Sequence, residues 1–510
     1  MRGADVLARA LAAAGTRHVF ALSGNHVMPV FDAALDARLS LIHVRHEAAA
    51  VHMADAWGRL TGQVGVALVT GGPGHANAVS ALYTALAGES PLLLISGHAP
   101  LNELGKGAFQ EMAQADVAAP LAKASWTAQS AEGLGADIVR AFRTAASGRP
   151  GPVHLSIPND VLDARVDAPI PSRESFVKES HAIDKPMAAV FLQALGAAAR
   201  PLVIAGPALS NARGRAALRG LEEASGIPAL VMESPRGVSD PSLGRLAGVL
   251  AKADAVLLLG KRRDFTLKFG RAFAEGCKVL DINGDVDAMA SAERLAALAD
   301  KTGSGSWLEE VHGALRFRPE AWKTLESAGS ALHAVEVCGA AQKLLDSPDA
   351  VLICDGGEFG QWAQACLSAP HRVINGPAGS IGAALPFAAA AKLAFPRSTV
   401  LAALGDGTFG FHMSEIETAV RCKLPYIALV GNDACWNAEY QIQLRAYGKD
   451  RAHGLDLLPV KYGAVAAAMG ASGADVSSLS DLEKSLEKAK SSGLPAVVNV
   501  AIERAAAPTY

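Results

Sequence analysis

Short apolar runs that stop at glycine or polar turn residues recur along this chain, separated by longer stretches with apolar positions three and four apart. HVFALSG (18–24), LSLIHVRH (39–46), VGVALVTGG (64–72), PLLLISGH (91–98) and GPVHLSIP (151–158) each read as a buried strand ending in a turn. The opening segment instead sets Val6, Leu7, Ala10, Leu11 and Ala14 on one helical stripe. Strand and helix patterns alternating in this way predict βαβ units around parallel sheets. The first block ends near Pro158–Ala168, and VDAPIPSRESFVKESHAIDKP (166–186) reads as a polar, proline-containing linker. A second block includes PLVIAGPAL (201–209), ADAVLLLGKRRD (253–264) and KVLDING (278–284). A third runs from AVLICDGGEFG (350–360) through STVLAALGDGTFG (398–410) to LPAVVNVAIE (494–503). The expected fold is α/β, with three doubly wound parallel-sheet domains over residues 1–168, 185–322 and 333–505. No short tandem repeat is visible.

Composition narrows the class. Half of the 510 residues are apolar and aromatics are few, a globular profile rich in alanine and glycine. A formal charge of −3 gives no electrostatic case for nucleic acid or an anionic membrane as partner. Cys277, Cys338, Cys354, Cys366, Cys422 and Cys435 form no CxxC pair and no metal spacing, as expected of free thiols in a reducing cytosol. Asp5 and Arg9 interrupt the first apolar stretch, so no signal peptide is expected. The apolar stretches near 64–88 and 373–391 carry Gly, Pro, Asn or His where a membrane span would carry Leu. The expectation is a soluble, cytoplasmic protein.

The most informative chemistry lies in ALGDGTFGFHMSEIETAVRCKLPYIALVGNDACWN (403–437). A strand ends at Gly405-Asp406-Gly407. The two glycines would let backbone approach a phosphate, and the acid between them offers the hard oxygen that Mg²⁺ takes. Ser414–Glu417 is a capping-box pattern for the next helix. A second strand, LPYIALVG, ends at Asn432-Asp433. Adjacent parallel strands would bring these two ends together. A divalent cation bridging a diphosphate could then be held by Asp406, a side-chain oxygen near 432–433 and a backbone carbonyl just beyond.

GDG followed, after 24 intervening residues, by an Asn-led pair resembles the thiamine diphosphate (ThDP) enzyme superfamily, in its acetolactate synthase-like branch. Members of that branch carry Asn-Asn; here Asp433 stands at the second position, keeping the oxygen but adding a negative charge. The resemblance implies ThDP and Mg²⁺ as cofactors, with Asp406, Asp433 and the Cys435 backbone as metal ligands. Such a cofactor needs a carboxylic acid in an apolar setting beside its aminopyrimidine. Arg45-His46-Glu47 matches the family's RHE and puts that acid at Glu47, at the start of a helix whose apolar face is Ala50, Met53, Ala54 and Trp57.

Further segments carry the likeness over nearly the whole chain. GGPGHAN (71–77) is similar to the family's GPGATN-type loop. GAFQEMAQADVAAPLAK (107–123) resembles its AFQE segment and implies Gln110 in the site. DGGEFG (355–360) brings in Gly356, and NGPAGSIGAALP (375–386) brings in Gly379, Ser380 and Ile381, the last as the apolar prop for a bent cofactor. Gly405, Gly407, Thr408 and Trp436 complete the implied cofactor contacts; Trp436 and Tyr440 could also wall the substrate pocket. SGNHVMPVFDAAL (23–35) resembles benzaldehyde lyase-like enzymes and implies His26 as a proton shuttle or hydroxyl anchor, while His52 and His98 read as structural.

The implied activity is carbon–carbon bond cleavage or ligation on 2-hydroxy ketones, aldehydes or 2-oxoacids, through the carbanion of the cofactor's thiazolium ring. Alternatives are a 2-oxoacid decarboxylase or acetolactate synthase type, a 2-hydroxyacyl-CoA lyase type, and a non-catalytic partner protein. A nicotinamide dehydrogenase built on GGPGHAN would lack the third glycine of the dinucleotide fingerprint. LGKRRDFTLKFG (259–270), with Lys261, Arg262 and Arg263, is only loosely similar to the FAD-binding signature of acetolactate synthases, so no FAD is expected. The family architecture implies a homodimer or homotetramer with active sites between chains.

Overall fold

The computed structural model describes residues 1–509 apart from 285, 326, 328 and 330. Its internal contacts divide the chain into two compact units: Met1–His181 with Gly284–Asp287, and Ala182–Asn283 with Ala288–Tyr510.

The first unit holds one six-stranded sheet: β1 (His18–Ala21), β2 (Ser40–His43), β3 (Gly65–Val69), β4 (Leu92–His98), β5 (Ala124–Thr127) and β6 (Pro152–Pro158). Its strand order is β2-β1-β3-β4-β6-β5, and every ladder is parallel. β3, β4 and β6 are buried at every position, because helices cover both faces and no alternation is needed. Small residues let those helices sit close. A Cβ on Gly65 would lie 2.1 Å from the Ala54 carbonyl, so the Glu47–Thr61 helix rests directly on β3.

The second unit holds two sheets. β7 (Pro201–Ala205), β8 (Ala229–Val231), β9 (Ala255–Leu259) and β10 (Lys278–Ile282) pair in the order β10-β9-β7-β8. β11 (Val351–Asp355), β12 (His371–Ile374), β13 (Val400–Gly405), β14 (Ile427–Asn432), β15 (Ser472–Val476) and β16 (Ala496–Ala501) pair in the order β12-β11-β13-β14-β16-β15. All of these ladders are parallel too. The fold is therefore α/β with three parallel sheets. Within the second unit, buried Glu233 accepts from Arg215 and Arg372, joining the four-stranded layer to β12. Among the described residues no helix is long and apolar enough to cross a membrane.

In each six-stranded sheet the winding reverses between the first strand and the third, opening a crevice at the strands' carboxyl ends, where such folds take ligands. One local expectation fails. The Glu415–Arg421 helix does follow Ser414, but Ser414 is itself in helical geometry and its side chain caps nothing. A helical turn already precedes it, closed by Glu415 N–H to the His412 carbonyl, so the extended backbone an N-cap needs is missing.

Candidate active site

The carboxyl ends of β1, β2, β3 and β4 carry the first group of side chains. β2 stops at His43, and the next helix starts at Glu47 behind His46, whose Nδ1 accepts from the Ala48 N–H at 3.1 Å. This cap fixes the first turn and turns Glu47 inward, leaving it 8 % exposed. Asn77, on the Pro73–Ala87 helix, donates to Glu47 Oε2 at 3.0 Å. A Cβ on Gly74 would stand 3.3 Å from Glu47 Oε1 and 2.7 Å from Thr70 Cγ2. Thr70 Oγ1 in turn lies 3.3 Å from His26 Nδ1. Glu47 and His26 are thus gathered around Thr70 and Gly74. Burial lowers the pKa of His26, opposed by a hydrogen bond with the Phe109 backbone, so its ring is neutral at pH 7 and can donate and accept. The Phe109 ring stacks on it, with centroids 6.1 Å apart.

Gln110 joins this group through its main chain. Its φ of 58° is left-handed, and a Cβ on Gly72 would come within 2.5 Å of its carbonyl oxygen. The residue that ties the loop down is another glutamine. Buried Gln114 accepts from the Gly72 N–H at 2.7 Å and donates to the Gly97 carbonyl and to Ser156 Oγ. That bond occupies the Gly72 N–H a dehydrogenase would turn toward a pyrophosphate. Beneath it, His75 and His154 share Ser96 Oγ at 2.8 and 3.2 Å, and burial pushes His75 down to about 4. His98, expected to be structural, donates from Nε2 to the Met112 carbonyl at 3.1 Å.

The second unit forms its own pocket at the carboxyl ends of β13 and β14. Gly405, Asp406, Gly407, Thr408, Asp433, Cys435, Trp436 and Ile381 all line it. A Cβ on Gly407 would sit 2.7 Å from the Trp436 ring, so the indole lies flush on bare backbone. Nothing lies within 4 Å of the Cβ position of Gly405, which leaves open space there. Gly356 has a φ of 51°, and a Cβ on it would meet Thr408 Oγ1 and Ile381 Cγ2, so these three residues touch. Gly379 and Ser380 are not among the pocket-lining residues. Gly379 is exposed, and the Ser380 carbonyl accepts from Asn375 at 2.9 Å.

The two acids are the chemical centre of this pocket. Asp406 is 2 % exposed, and its Oδ2 is buried without a hydrogen-bond partner. Burial pushes its pKa up to about 6. Burial and then the charge of Asp406 push Asp433 up to about 7. The turn that follows is tightly held. Asn432 Oδ1 accepts from the Ala434 N–H at 3.1 Å, and Ala434 takes a left-handed φ of 51°. Arg504 donates to the carbonyls of Asp433 and Ala434. The Ala434 carbonyl also accepts from Leu457 N–H, and the Trp436 N–H donates to Leu455. Among the described residues, no hydrogen bond uses the Cys435 carbonyl. Two carboxylates, one with an orphaned oxygen, and a free backbone carbonyl form an all-oxygen donor set that fits Mg²⁺. The described residues contain no group of three or more His, Cys, Asp or Glu side chains suited to a metal. Asn77, Thr70, Gln114 and Arg504 carry no expectation from the sequence. Thr70, Asn77 and Gln114 lie inside the segments VGVALVTGG, GGPGHAN and GAFQEMAQADVAAPLAK, but no pattern there singled them out, and Arg504 lies outside every such segment.

Comparison with known proteins identifies the family. Residues 1–117 match the model described as thiamine pyrophosphate enzyme, N-terminal TPP binding domain, and residues 355–500 match its C-terminal TPP binding domain. A probable acetolactate synthase of Mycobacterium bovis is 33 % identical, covering 98 % of this chain and 95 % of its own length. The 2-hydroxyacyl-CoA lyase 2 proteins of Homo sapiens and Danio rerio are each 30 % identical, covering 98 % of this chain and 90 % and 91 % of theirs.

Proposed function

Because the chain belongs to the thiamine pyrophosphate enzymes, we propose that it is a ThDP- and Mg²⁺-dependent lyase or carboligase acting on 2-hydroxy ketones, aldehydes or 2-oxoacids. The observation that carries the metal-diphosphate part is the buried Asp406 with its unpartnered Oδ2 beside Asp433. When bound, the cofactor supplies a nucleophilic carbon that adds to a carbonyl.

The chain's own residues do the rest. Asp406, Asp433 and the Cys435 carbonyl hold the cation, and the Gly405–Thr408 turn receives the diphosphate. Ile381 and Trp436 give the pocket its apolar walls. Glu47, steadied by Asn77, holds a proton against the aminopyrimidine ring nitrogen. His26, neutral and backed by Thr70, exchanges a proton with the substrate hydroxyl, and Gln110 binds the same oxygen. In the family arrangement the two groups of residues serve one cofactor from different chains, so the working unit is at least a homodimer. An active monomer in light scattering would contradict that.

A second reading, cleavage of 2-hydroxyacyl-CoA or condensation of 2-oxoacids, is favoured by the names of the relatives. The deciding experiment incubates the protein, ThDP and Mg²⁺ with aromatic acyloins, 2-oxoacids and 2-hydroxyacyl-CoA compounds in parallel. Turnover of acyloins, or of 2-oxoacids without condensation to a 2-hydroxy-2-alkyl acid, supports the first reading. Turnover confined to 2-hydroxyacyl-CoA compounds or to 2-oxoacid condensation replaces it, and turnover of none rejects both.

A further inference from the structure

The turn that presents Asp433 is gripped by a residue from the far end of the chain. After β16 the chain continues alongside β14, with Ile502 N–H donating to the Asn432 carbonyl at 3.0 Å. Two residues on, Arg504 Nε donates to the Asp433 carbonyl at 3.0 Å and Nη2 to the Ala434 carbonyl at 2.9 Å. Its Nη1 pairs with Asp456 at 2.8 Å, and its guanidinium carbon lies 5.9 Å from the Tyr440 ring centre. Asp456 pairs in turn with Cys435 in a short antiparallel bridge. One planar fork therefore holds two successive carbonyls and the segment that backs the turn, a geometry for which Arg is better suited than Lys.

Two features make this grip more than a surface contact. Ala434 is in the left-handed region without being glycine, a conformation that persists only where neighbours impose it. The charge balance is also unusual: Asp406 and Asp433 share one pocket, and the Arg504 guanidinium, bound to the Asp433 carbonyl at 3.0 Å, is a cation whose field reaches both.

We propose that Arg504 is a positioning residue for the metal–diphosphate turn: it sets the Asp433–Cys435 backbone through the two carbonyls and offsets the second carboxylate that this turn carries. The proposal rests on the ThDP reading above. It assigns to the carboxyl-terminal segment a part in cofactor affinity without any contact with substrate.

The test is isothermal titration of ThDP in the presence of Mg²⁺ into the wild type, Arg504→Gln, Arg504→Lys, Asp433→Asn and the Arg504→Gln/Asp433→Asn double variant. Thermal melts of the unloaded proteins run alongside. Arg504→Gln is expected to weaken binding about tenfold to a hundredfold, the range found for groups that orient metal ligands. Arg504→Lys, which keeps the charge and loses the fork, should fall between it and the wild type. The double variant should recover the share of the loss that is due to charge, bringing it near Arg504→Lys, whereas a purely structural role would give no recovery. Wild-type affinity in Arg504→Gln, or a double variant as weak as Arg504→Gln, overturns the proposal and leaves the ThDP reading standing. A wild type that binds no ThDP with Mg²⁺ overturns that reading, and the proposal with it.

Discussion

The two six-stranded sheets have the same strand order and the same all-parallel ladders, yet their carboxyl ends carry different chemistry. Where β3 of the first sheet runs out into Thr70 and two glycines, β13 of the other ends at Gly405 and Asp406. After β4 the chain makes a long excursion through Gln110 and Gln114. After β14 it turns at once through Asp433 and Cys435. The first crevice is furnished with Glu47, the neutral imidazole of His26 and amides; the second with Asp406 and Asp433, with Glu358 and Glu439 also in its lining, and with bare glycine backbone. Shared topology supplies the crevice, and the few residues past each strand decide which chemical groups line it.

The sharpest way to break this comparison is to exchange the loss of one acid for the other. Glu47→Gln should lower turnover by about a thousandfold, the scale of lost proton transfer, with ThDP affinity near wild type. Asp406→Asn should instead weaken Mg²⁺-dependent ThDP binding by about a hundredfold or more, since it removes an ionised ligand outright. Titration calorimetry with steady-state kinetics reads both, and identical profiles for the two variants would end the division of labour. His26→Ala comes next. It should reduce kcat/KM by about a hundredfold while leaving ThDP titration unchanged. A matching loss of cofactor affinity would place His26 on the binding side instead.

A smaller effect separates the two loops. Gln114→Leu strands the Gly72 N–H and the Gly97 carbonyl, which should cost about 1–3 kcal/mol in denaturant melts. It should also lower turnover through the loop that seats Glu47, with no change in the metal dependence of binding. The smallest effect distinguishes the strand ends themselves. β1 ends on Ala21, but β11 ends on buried Asp355, whose Oδ2 accepts from the N–H groups of Gly382 and Ala384 and whose pKa burial raises to about 7. A carboxyl raised on folding keeps its proton where the unfolded chain has lost it. Its stabilisation is therefore complete at low pH and fades as pH rises from its ordinary value toward about 7. Asp355→Asn should flatten the stability of the second unit over that interval, as read by melts between those pH values. An unchanged slope would mean that other groups dominate it.

The strands were legible because buried parallel strands are nearly continuous apolar runs, and the GDG turn because a second strand ending in an Asn-led pair follows it at a fixed spacing. The matching strand order of the two sheets was not legible, since it is a property of pairing and leaves no repeated residues. Nor was Gln114, which sits four residues past the expected Gln110 and differs from it only in where the turn buries it. Arg504 was hidden for a similar reason: 71 positions separate it from Asp433, and only the β14–β16 pairing brings them together. The capping box at Ser414 misled because a pattern of side chains says nothing about the backbone already leading into the helix.

One detail of the Asn432-Asp433 pair bears on how such a site can change over time. Asn432 makes the turn, through its bond to Ala434 and its bonds to Asn499 and the Val460 carbonyl, while Asp433 projects into the pocket. Shape and charge are thereby delegated to adjacent positions. Substitutions at 433 between amide and acid can retune the electrostatics of the pocket without redrawing the main chain, so descendants of one ancestor can drift in cation preference and cofactor grip while the architecture around them stands still.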